Sequence, residues 1–523
     1  MASVIQKTNI QGDIWPGLPK RFQTFLFFRI RKPDQFKARL KAFVPEITSA
    51  ETALGWREAK KRERLLHPKD LMPGNVVPST GVNMSFSASG LSALGKFTFE
   101  EAAVKKDKKM SAVFRKQQLR GGLYSIGMFT DLVYEGWDDP NDLREAYKPF
   151  GEKKERLIDG VVLVTSNVER DMVEKVNRVK EHFLKESDID PDTYVISNDP
   201  EPPVLMGKNS EHSLLHQDAV RYGLTFLFSF GFKDGISQPK IEGLDDPPKD
   251  KEPKAVKPGM IFSGYEGDEM GQPDWAKDGS FMVIRDLQQL VPEFDKFMED
   301  NADKAPFAAD CSNPKEKLAA CLMGRWKNGT PLDLSPYDDK AGETEYHASN
   351  DFDFQPIDKH EKCPFGAHIR KMRPRGDLND DHVVIIRRGI SYGGDVTPEE
   401  QAARKSDDRF ERGLMFVCYQ SDIRMGFNFL TTRWASNNHF PDKKTRYVGE
   451  HGPGLDAIVG QRLAHHPPRS LGLPDGNEPS ETRIELDNWV IHRGGEYFFS
   501  PSIEALRDYL TGPHDYPELQ GGS

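Results

Sequence analysis

A short apolar strand followed at once by an amphipathic helix occurs twice in the N-terminal half of this chain. In the first case Thr24–Arg31 is an aromatic-rich apolar run of strand length. After Pro33, the residues Phe36, Leu40 and Phe43 recur at helical spacing. This pairing of a buried strand with a one-sided helix predicts a sheet that is covered by helices.

The second strand–helix unit has sharper boundaries. Asp159–Thr165 is typical of a buried strand, and Ser166 with Glu169 has the spacing of a capping box. The apolar face of the predicted helix comprises Met172, Val176, Val179 and Phe183. Further predicted strands are Tyr222–Phe230, Ser280–Ile284, Val383–Ile386, Leu414–Cys418 and Tyr497–Phe499, and further predicted helices are Leu287–Met298, Lys315–Trp326 and Ile503–Leu510.

The repeated strand–helix–strand pattern predicts an α+β fold, with helices packed on antiparallel sheets. A chain of 523 residues is too long for one ordinary core, so we expect two domains. The segment 245–254 is polar and rich in proline, which is typical of a linker. We therefore predict an N-terminal domain over residues 1–236, a linker over 237–258 and a C-terminal domain over 259–523.

Composition excludes several classes of protein. The net charge of −10 argues against nucleic acid as the main partner, since phosphate binding needs a basic face. Four cysteines without a Cys-x-x-Cys pair predict neither a disulfide scaffold nor a zinc ribbon. We expect no membrane span, because no run of about 18 apolar residues occurs. The N-terminus shows no signal pattern, which fits either an intracellular protein or a secreted one in its mature form.

The stretch Cys363–Arg375 places one histidine, His368, ahead of a dense set of cations. A neutral imidazole is a good ligand for a transition metal, and arginines suit an anionic group nearby. The pattern therefore allows a haem site, with iron on His368 and the propionates on arginines. A buried histidine beside a solvated basic loop is the alternative that this stretch alone leaves open.

Two further motifs have both an ordinary and a functional interpretation. Gly231–Gly235 encloses Asp234 between two glycines, which permit close backbone approach. The same residues also make a plain turn. Arg387 and Arg388 leave a predicted strand, so one side chain is expected to enter a cleft and the other to point outward. Two solvated arginines at a strand end are equally consistent with this pattern.

The three motifs, in this order, resemble those of the dye-decolorizing peroxidase family, long fungal-like branch. They are Gly-Phe-Lys-Asp-Gly at 231–235, Cys-Pro-Phe-Gly-Ala-His-Ile-Arg-Lys at 363–371 and Arg-Arg-Gly-Ile-Ser-Tyr-Gly at 387–393. Shorter matches occur at 9–14, 324–326 and 413–420, so the resemblance runs from about Asn9 to Ser502.

The resemblance implies two ferredoxin-like α+β domains, with one haem b mainly in the C-terminal domain. His368 matches the proximal iron ligand, Asp234 the distal acid–base residue and Arg387 the distal arginine. Leu414 and Phe416 match residues that line the distal pocket. Arg370 and Arg375 are the residues that we expect to contact the propionates, and Asp381 or His382 the residue that hydrogen-bonds His368.

The resemblance also implies surface aromatics that oxidise bulky substrates, and Tyr392 and Trp434 match these positions. Ordinary packing is the alternative for both. Ser391 stands where the family has proline, a change expected to loosen the loop that carries Tyr392. Met372 and Arg373 replace the commoner Thr-Asn.

The expected activity is oxidation of dyes, phenolics and other bulky aromatic reductants by hydrogen peroxide, through a ferryl intermediate. Free aspartate has a pKa of about 3.9, so Asp234 as proton acceptor predicts best activity at acidic pH. The rival functions are a haem-handling protein that releases iron or porphyrin and a non-catalytic haem carrier. A carrier has no need of Asp234 and Arg387 together.

Overall fold

The computed structural model describes residues 4–30, 32–66, 77–96, 122–133, 135–144, 147–149, 158–183, 194–195, 230–233, 235–338, 349–378, 382–462, 468–476 and 482–512. The strands are β1 (Phe22–Arg29), β2 (Thr80–Phe86), β3 (Gly160–Ser166), β4 (Tyr194–Val195), β5 (Ser280–Gln289), β6 (Ile386–Arg387), β7 (Ile390–Tyr392), β8 (Gly413–Gln420), β9 (Ser470–Gly472), β10 (Arg483–Glu485) and β11 (Val490–Ser500). The helices are α1 (Pro33–Phe43), α2 (Ala50–Leu66), α3 (Ala88–Ala93), α4 (Leu123–Met128), α5 (Glu169–Phe183), α6 (Val291–Asn301), α7 (Pro314–Met323), α8 (His368–Met372), α9 (Pro398–Ala403) and α10 (Thr445–Val448). Short π-helical segments lie at Phe129–Val133, Arg424–Asn428, Leu430–Ala435 and Ala505–Tyr509.

Within these described residues, nine strands form one sheet in the order β4-β1-β3-β2-β11-β5-β8-β6, and β7 also pairs with β8. Each pairing between strands of this sheet is antiparallel. β11 lies between strands of the two halves, since it pairs with β5 along its length and meets β2 at Phe499 and Phe86. The predicted α+β class with antiparallel pairing is confirmed.

The two faces of the sheet are buried by different parts of the chain. On β1, Leu26 and Phe28 face one core, which contains the apolar residues of α1 and α5. Phe25 and Phe27 face the other, which is covered by the loops around Ile14 and Phe262. This alternation follows from the period of two in a strand, and it explains why the aromatic run Thr24–Arg31 has no polar face.

The predicted linker 237–258 is packed against the body of the protein. Ile241 is fully buried and forms a bridge with Val256. Asp245 accepts a hydrogen bond from Trp15 Nε1 at 3.2 Å. The domain boundaries at residues 236 and 259 stay a prediction.

Several predicted boundaries differ from the structure. The helix predicted at Leu287–Met298 begins only at Val291, because β5 continues to Gln289 and pairs there with β11. The helix predicted at Lys315–Trp326 ends at Met323. The strand predicted at Val383–Ile386 is reduced to β6, Ile386–Arg387, which pairs with β8. The prediction for Tyr222–Phe230 lies outside the described residues except at Phe230. None of the described helices combines the length and apolarity needed to cross a bilayer.

Candidate active site

A cavity of about 270 Å³ opens between the face of β5, β8 and β11 and the helices α7 and α8. Apolar side chains form much of its wall, among them Leu287 on β5 and Ile369 on α8. Leu414 and Phe416 on β8 also line it, as expected for residues of a distal pocket. The cavity brings together strands and helices from distant parts of the chain.

His368 is the first residue of α8 and lines this cavity. Its Nδ1 lies 2.9 Å from Oδ2 of Asp456, a fully buried carboxylate. Burial opposes the charge on Asp456, but His368 and the backbone N–H groups of Val459 and Ile458 hold the pKa of its carboxyl below the ordinary value. An ionised Asp456 accepts a hydrogen bond from Nδ1–H, which keeps the ring proton on Nδ1 and leaves Nε2 with the lone pair that a metal needs.

The partner of His368 was predicted wrongly. His382 is exposed and Asp381 lies outside the described residues, whereas the carboxylate at His368 comes from the loop after α10. No local pattern marks Asp456, because 88 residues separate it from the histidine.

Neighbouring groups fix the position of α8. The Nζ of Lys371, fully buried, donates to three carbonyl oxygens: those of Asn437, Phe440 and Gly454, at 2.6–2.7 Å. This ties α8 to the loop that carries Asp456. On the other side Gly324, at the end of α7, has φ +91°, and a Cβ there would lie 2.4 Å from Cγ1 of Ile369. The absence of a side chain at Gly324 therefore lets α7 approach α8 closely.

Arg387 lines the cavity from β6. Its Nη2 donates to the carbonyl of Ser237 at 2.8 Å, and its backbone N–H donates to Gln238 Oε1 at 3.0 Å. Arg388 points the other way, as the strand period requires. It is partly exposed, and its guanidinium donates to the carbonyls of Asp13, Ile14 and Pro16.

Asp234 lies outside the described residues, but the residues around it line the cavity. Phe232, Lys233 and Ile236 all contribute to the wall. Gly231 and Gly235 have φ angles of +83° and +73°, which only glycine adopts without strain. The loop predicted to approach a flat ligand is therefore at the cavity, and the role of Asp234 stays a prediction.

Arginines give the cavity a basic region. Asn350 joins two of them, since its Oδ1 accepts from Arg325 at 2.8 Å and its carbonyl accepts from Arg375 at 2.6 Å. Its Nδ2 donates to the carbonyl of Ile236 beside the Asp234 loop. Burial, reinforced by the charges of Arg375 and Arg387, lowers the pKa of Arg325 to about 9. A bound anion would relieve this crowding of positive charge.

Arg370 is not at the cavity, which corrects its predicted contact with a propionate. Its guanidinium is buried between the rings of Phe354 and Phe365 and pairs with Asp377 at 2.7 Å. It also donates to the carbonyl of Cys363. Its donors are therefore engaged inside the protein, while Arg325 and Arg373, which the prediction omitted, line the cavity together with Arg375. Arg325 belongs to the motif at 324–326, which was the available signal.

Tyr392 and Trp434 are not surface residues, contrary to prediction. Tyr392 is 3% exposed and its hydroxyl donates to Asp286 at 2.7 Å. Trp434 is 2% exposed and stacks on Phe440 with ring centroids 4.8 Å apart. Neither ring can meet a bulky dye directly, and their part in electron transfer stays a prediction.

The residues present fit a haem. An imidazole whose Nε2 has no partner among the described residues, an apolar cavity and a basic region are the features that hold an iron porphyrin with two carboxylates. The fit rests on the His368–Asp456 pair and on the crowded arginines, both of which a bound anionic iron complex would satisfy.

Comparison with known proteins finds the same fold. Residues 9–190 match the family model described as DyP dimeric alpha+beta barrel domain, and residues 329–460 match Dyp-type peroxidase, C-terminal. The chain is 33% identical over 523 residues to dye-decolorizing peroxidase msp1 of Mycetinis scorodonius, covering 96% of this chain and 87% of that protein. The solved structure of an ancestral D-type dye decolorizing peroxidase superposes with a TM-score of 0.78 at 34% identity, covering 97% of this chain and all of that one.

A shorter match concerns the haem-handling alternative. It is to deferrochelatase of Yersinia pestis, 26% identical over 220 residues, which is 42% of this chain and 39% of that protein. The longer matches cover both the sheet and the helices that line the cavity, and the predicted ferredoxin-like α+β fold is confirmed by them.

Proposed function

Since the chain belongs to the dye-decolorizing peroxidase family and is a hydrogen-peroxide-dependent oxidoreductase, we propose that its cavity holds one haem b. His368 Nε2 is the iron ligand in this proposal, and Arg375 with Arg325 faces the propionates. The observation that carries the proposal is the 2.9 Å pair of His368 and Asp456 at a cavity with a basic region. The fold and the peroxidase activity belong to the family, whereas the residue roles are proposed for this chain.

When bound, haem supplies the redox-active iron on which peroxide is reduced. Asp456 keeps the proton of His368 on Nδ1, so that Nε2 stays available to the metal. A carboxylate oxygen of Asp234 takes the proton from the incoming peroxide and returns it to the leaving oxygen. The guanidinium of Arg387 keeps its charge and stabilises the negative charge that develops on that oxygen.

Aromatic reductants such as dyes and phenolics are the proposed electron donors. Lys233, Lys240 and Glu252 line the cavity and are each partly exposed, which places them where a reductant can approach. The apolar wall formed by Leu414 and Phe416 excludes water from the site of proton transfer, which strengthens the interactions of Arg387 there.

A peroxidase is favoured over the haem-handling and carrier alternatives. The match to deferrochelatase covers under half of this chain, whereas the matches to dye-decolorizing peroxidases cover nearly all of it. An arginine held at the cavity by Ser237 and Gln238 stabilises developing charge, and a carrier has no such requirement.

The test is the absorption spectrum of the purified haem-loaded protein before and after one equivalent of hydrogen peroxide, followed by turnover of an anthraquinone dye at acidic pH. We expect a Soret band that peroxide shifts. His368→Ala should lose haem or change this band, and Asp234→Asn and Arg387→Leu should keep the band and lose turnover. Arg388→Leu, which alters the neighbouring arginine outside the cavity, is the matched control. Full turnover in both distal variants would remove their assigned roles.

A further inference from the structure

Several buried tyrosines of this protein donate a hydrogen bond to a buried aspartate. Four such pairs occur in the part of the chain that the structure describes: Tyr265 with Asp278, Tyr392 with Asp286, Tyr419 with Asp13 and Tyr497 with Asp131. In each pair the phenol donates to a carboxylate. Such a hydrogen bond gives a phenol a ready acceptor for its proton, so each pair has the parts of a redox-active tyrosine.

Only Tyr497 among the four has a ring contact with a residue of the cavity, within the described residues. Its ring centroid lies 6.1 Å from that of Phe427, and Phe427 lies 6.3 Å from Phe416. Both phenylalanines line the cavity. Tyr497 is fully buried, so it is one aromatic ring away from the cavity and shielded from solvent.

Asp131 is also the best placed proton acceptor. Its oxygens receive hydrogen bonds from neutral donors, Tyr497 Oη at 2.5 Å and Asn428 Nδ2 at 2.8 and 3.1 Å. Burial raises the pKa of its carboxyl to about 6, despite those two hydrogen bonds. A carboxylate that binds its proton more tightly is a stronger base.

Two of the other pairs have weaker proton acceptors. Asp286 is bound by Arg144 at 2.6 Å, and Asp13 is bound by Lys20 at 3.0 Å. A nearby cation favours the charged form of a carboxylate and makes it a poorer proton acceptor. Tyr265 contacts Phe262, which does not line the cavity.

We propose that Tyr497 is an internal electron donor of this peroxidase, with Asp131 as the acceptor of its proton. The proposal rests on the proposed haem in the cavity. After peroxide has oxidised the haem site, Tyr497 gives that site one electron through Phe427, and its phenolic proton moves to Asp131 Oδ2. A neutral tyrosyl radical and a protonated Asp131 result. One electron from an aromatic reductant at the cavity then reaches Tyr497 through Phe427, without direct contact, and Asp131 returns the proton.

Burial makes the coupled transfer necessary. It raises the pKa of the Tyr497 phenol well above its ordinary value, so the phenolate does not form before the electron leaves. The oxidised phenol must lose its proton as the electron departs, since a buried radical cation has no solvent to stabilise it.

The test is freeze-quench electron paramagnetic resonance of the haem-loaded protein after one equivalent of hydrogen peroxide, without reductant, at a pH above the raised pKa of Asp131, where its carboxylate is ionised. Absorption is recorded on the same samples. We expect a tyrosyl signal that narrows when ring-deuterated tyrosine is incorporated. It should be lost in Tyr497→Phe, and it should form roughly 100-fold more slowly in Asp131→Asn, which removes the positioned base. Tyr419→Phe is the matched control, because it removes the same hydroxyl from a buried pair away from the cavity.

The absorption record separates failure of this inference from failure of the proposed function. If the wild-type Soret band does not respond to peroxide, the proposed function fails. If it responds but no tyrosyl signal appears, or if Tyr497→Phe keeps the wild-type signal, the role of Tyr497 is overturned. Should Tyr497→Phe not fold, the deuterated wild-type spectrum and Asp131→Asn still decide the matter, since an unchanged rate in Asp131→Asn contradicts the proton transfer.

Discussion

At the scale of single residues, the properties of a metal bound at His368 depend on the carboxylate behind it. Asp456 is fully buried and is held by the backbone N–H groups of Ile458 and Val459, each 2.9 Å from its Oδ1. These bonds fix the carboxylate as an ionised acceptor and fix the orientation of the imidazole ring.

Asp456→Asn is expected to weaken the hold on haem. An amide oxygen accepts the hydrogen bond from Nδ1–H less strongly than a carboxylate does. Loss of the hydrogen-bond partner of a metal-binding histidine typically costs about 10- to 100-fold in metal affinity. The measurement is the rate of haem transfer to apomyoglobin, which should rise by a similar factor. Asp278→Asn, a buried aspartate that accepts from Asn9 and Tyr265, is the control and should leave the rate unchanged.

Replacement of Arg370 by methionine should mainly lower folding stability, whereas replacement of Arg375 should mainly weaken haem retention. Arg370 shares the buried carboxylate of Asp377 with Lys444, so its loss removes charged hydrogen bonds without leaving Asp377 unpaired and should lower the free energy of unfolding by about 1–3 kcal/mol. Arg375→Met should mainly speed haem loss, because Arg375 lines the cavity. Urea unfolding and haem transfer distinguish the two, and a haem effect confined to Arg370→Met would contradict the assignment.

Asp131 should make stability depend on pH. Its pKa is raised to about 6 by burial, against hydrogen bonds from Tyr497 and Asn428, with Glu135 raising it further and Arg285 opposing. The folded protein thus binds this proton more tightly than the unfolded chain, in which the pKa is about 3.9. The stabilisation is complete below about pH 4 and is lost as the pH rises through about 6. Urea unfolding of the wild type and Asp131→Asn between about pH 4 and 7 should show the wild-type advantage shrinking; a growing advantage would contradict the sign.

At the scale of elements, the close contact of α7 and α8 sets the position of the proposed iron ligand. Gly324 ends α7 in a left-handed conformation, and its bare backbone meets Ile369, the residue after His368. The C-terminal cap of α7 therefore packs directly on α8, and a methyl group added at Gly324 would displace α8.

Gly324→Ala should destabilise the protein and loosen haem. The positive φ alone costs an alanine about 1–2 kcal/mol, and the new methyl also displaces Ile369. Gly95→Ala is the matched control, since Gly95 follows α3 with φ +68° and a Cβ added there would meet nothing within 4 Å. Thermal unfolding should show a loss in both variants, and faster haem transfer only in Gly324→Ala. Equal rates of haem transfer in Gly324→Ala and Gly95→Ala would mean that Ile369 moves aside without disturbing α8.

Elements with a strong local pattern were predictable and those that depend on partners were not. α5 follows from four apolar residues at helical spacing, and all four are buried. The predicted strand Ser280–Ile284 ended before the polar residues Arg285, Asp286 and Gln288. All three are nevertheless buried in β5. Arg285, for example, is neutralised by Asp138 at 2.7 Å, a residue 147 positions away.

At the scale of the whole molecule, the sheet passes from one half of the chain to the other through β11. The core on one face includes Phe86 from the N-terminal half and Phe281 and Phe499 from the C-terminal half. Neither half can bury its apolar surface alone, because each supplies part of the same core.

We therefore expect the described body to unfold as one unit. Calorimetry should give a single transition, with a calorimetric enthalpy equal to the van't Hoff enthalpy. Separately expressed halves, residues 1–236 and 259–523, should show no cooperative transition of their own. Two resolved transitions, or a folded half, would support the predicted independent domains instead.

The contrast between local patterns and long-range contacts also explains which site residues could be predicted from the sequence. His368, Arg387 and the loop around Asp234 lie in short motifs, and the described parts of all three meet at one cavity. Asp456, Arg325 and the Tyr497–Asp131 pair depend on contacts across the fold, the last between residues 366 positions apart. The burial of Tyr392 and Trp434 could not be foreseen for the same reason, since exposure is a property of the packed chain.

The central place of β11 also bears on how the protein is made. The ribosome completes β11 after every other described strand, so a nascent chain carries His368 and Asp456 while the wall formed by Val490 and His492 is still missing. Chains fold from the N-terminus as they emerge, yet this sheet cannot close until its middle strand has left the exit tunnel. We therefore expect cofactor loading to follow synthesis of β11, and a chain that ends before β11 to retain haem poorly.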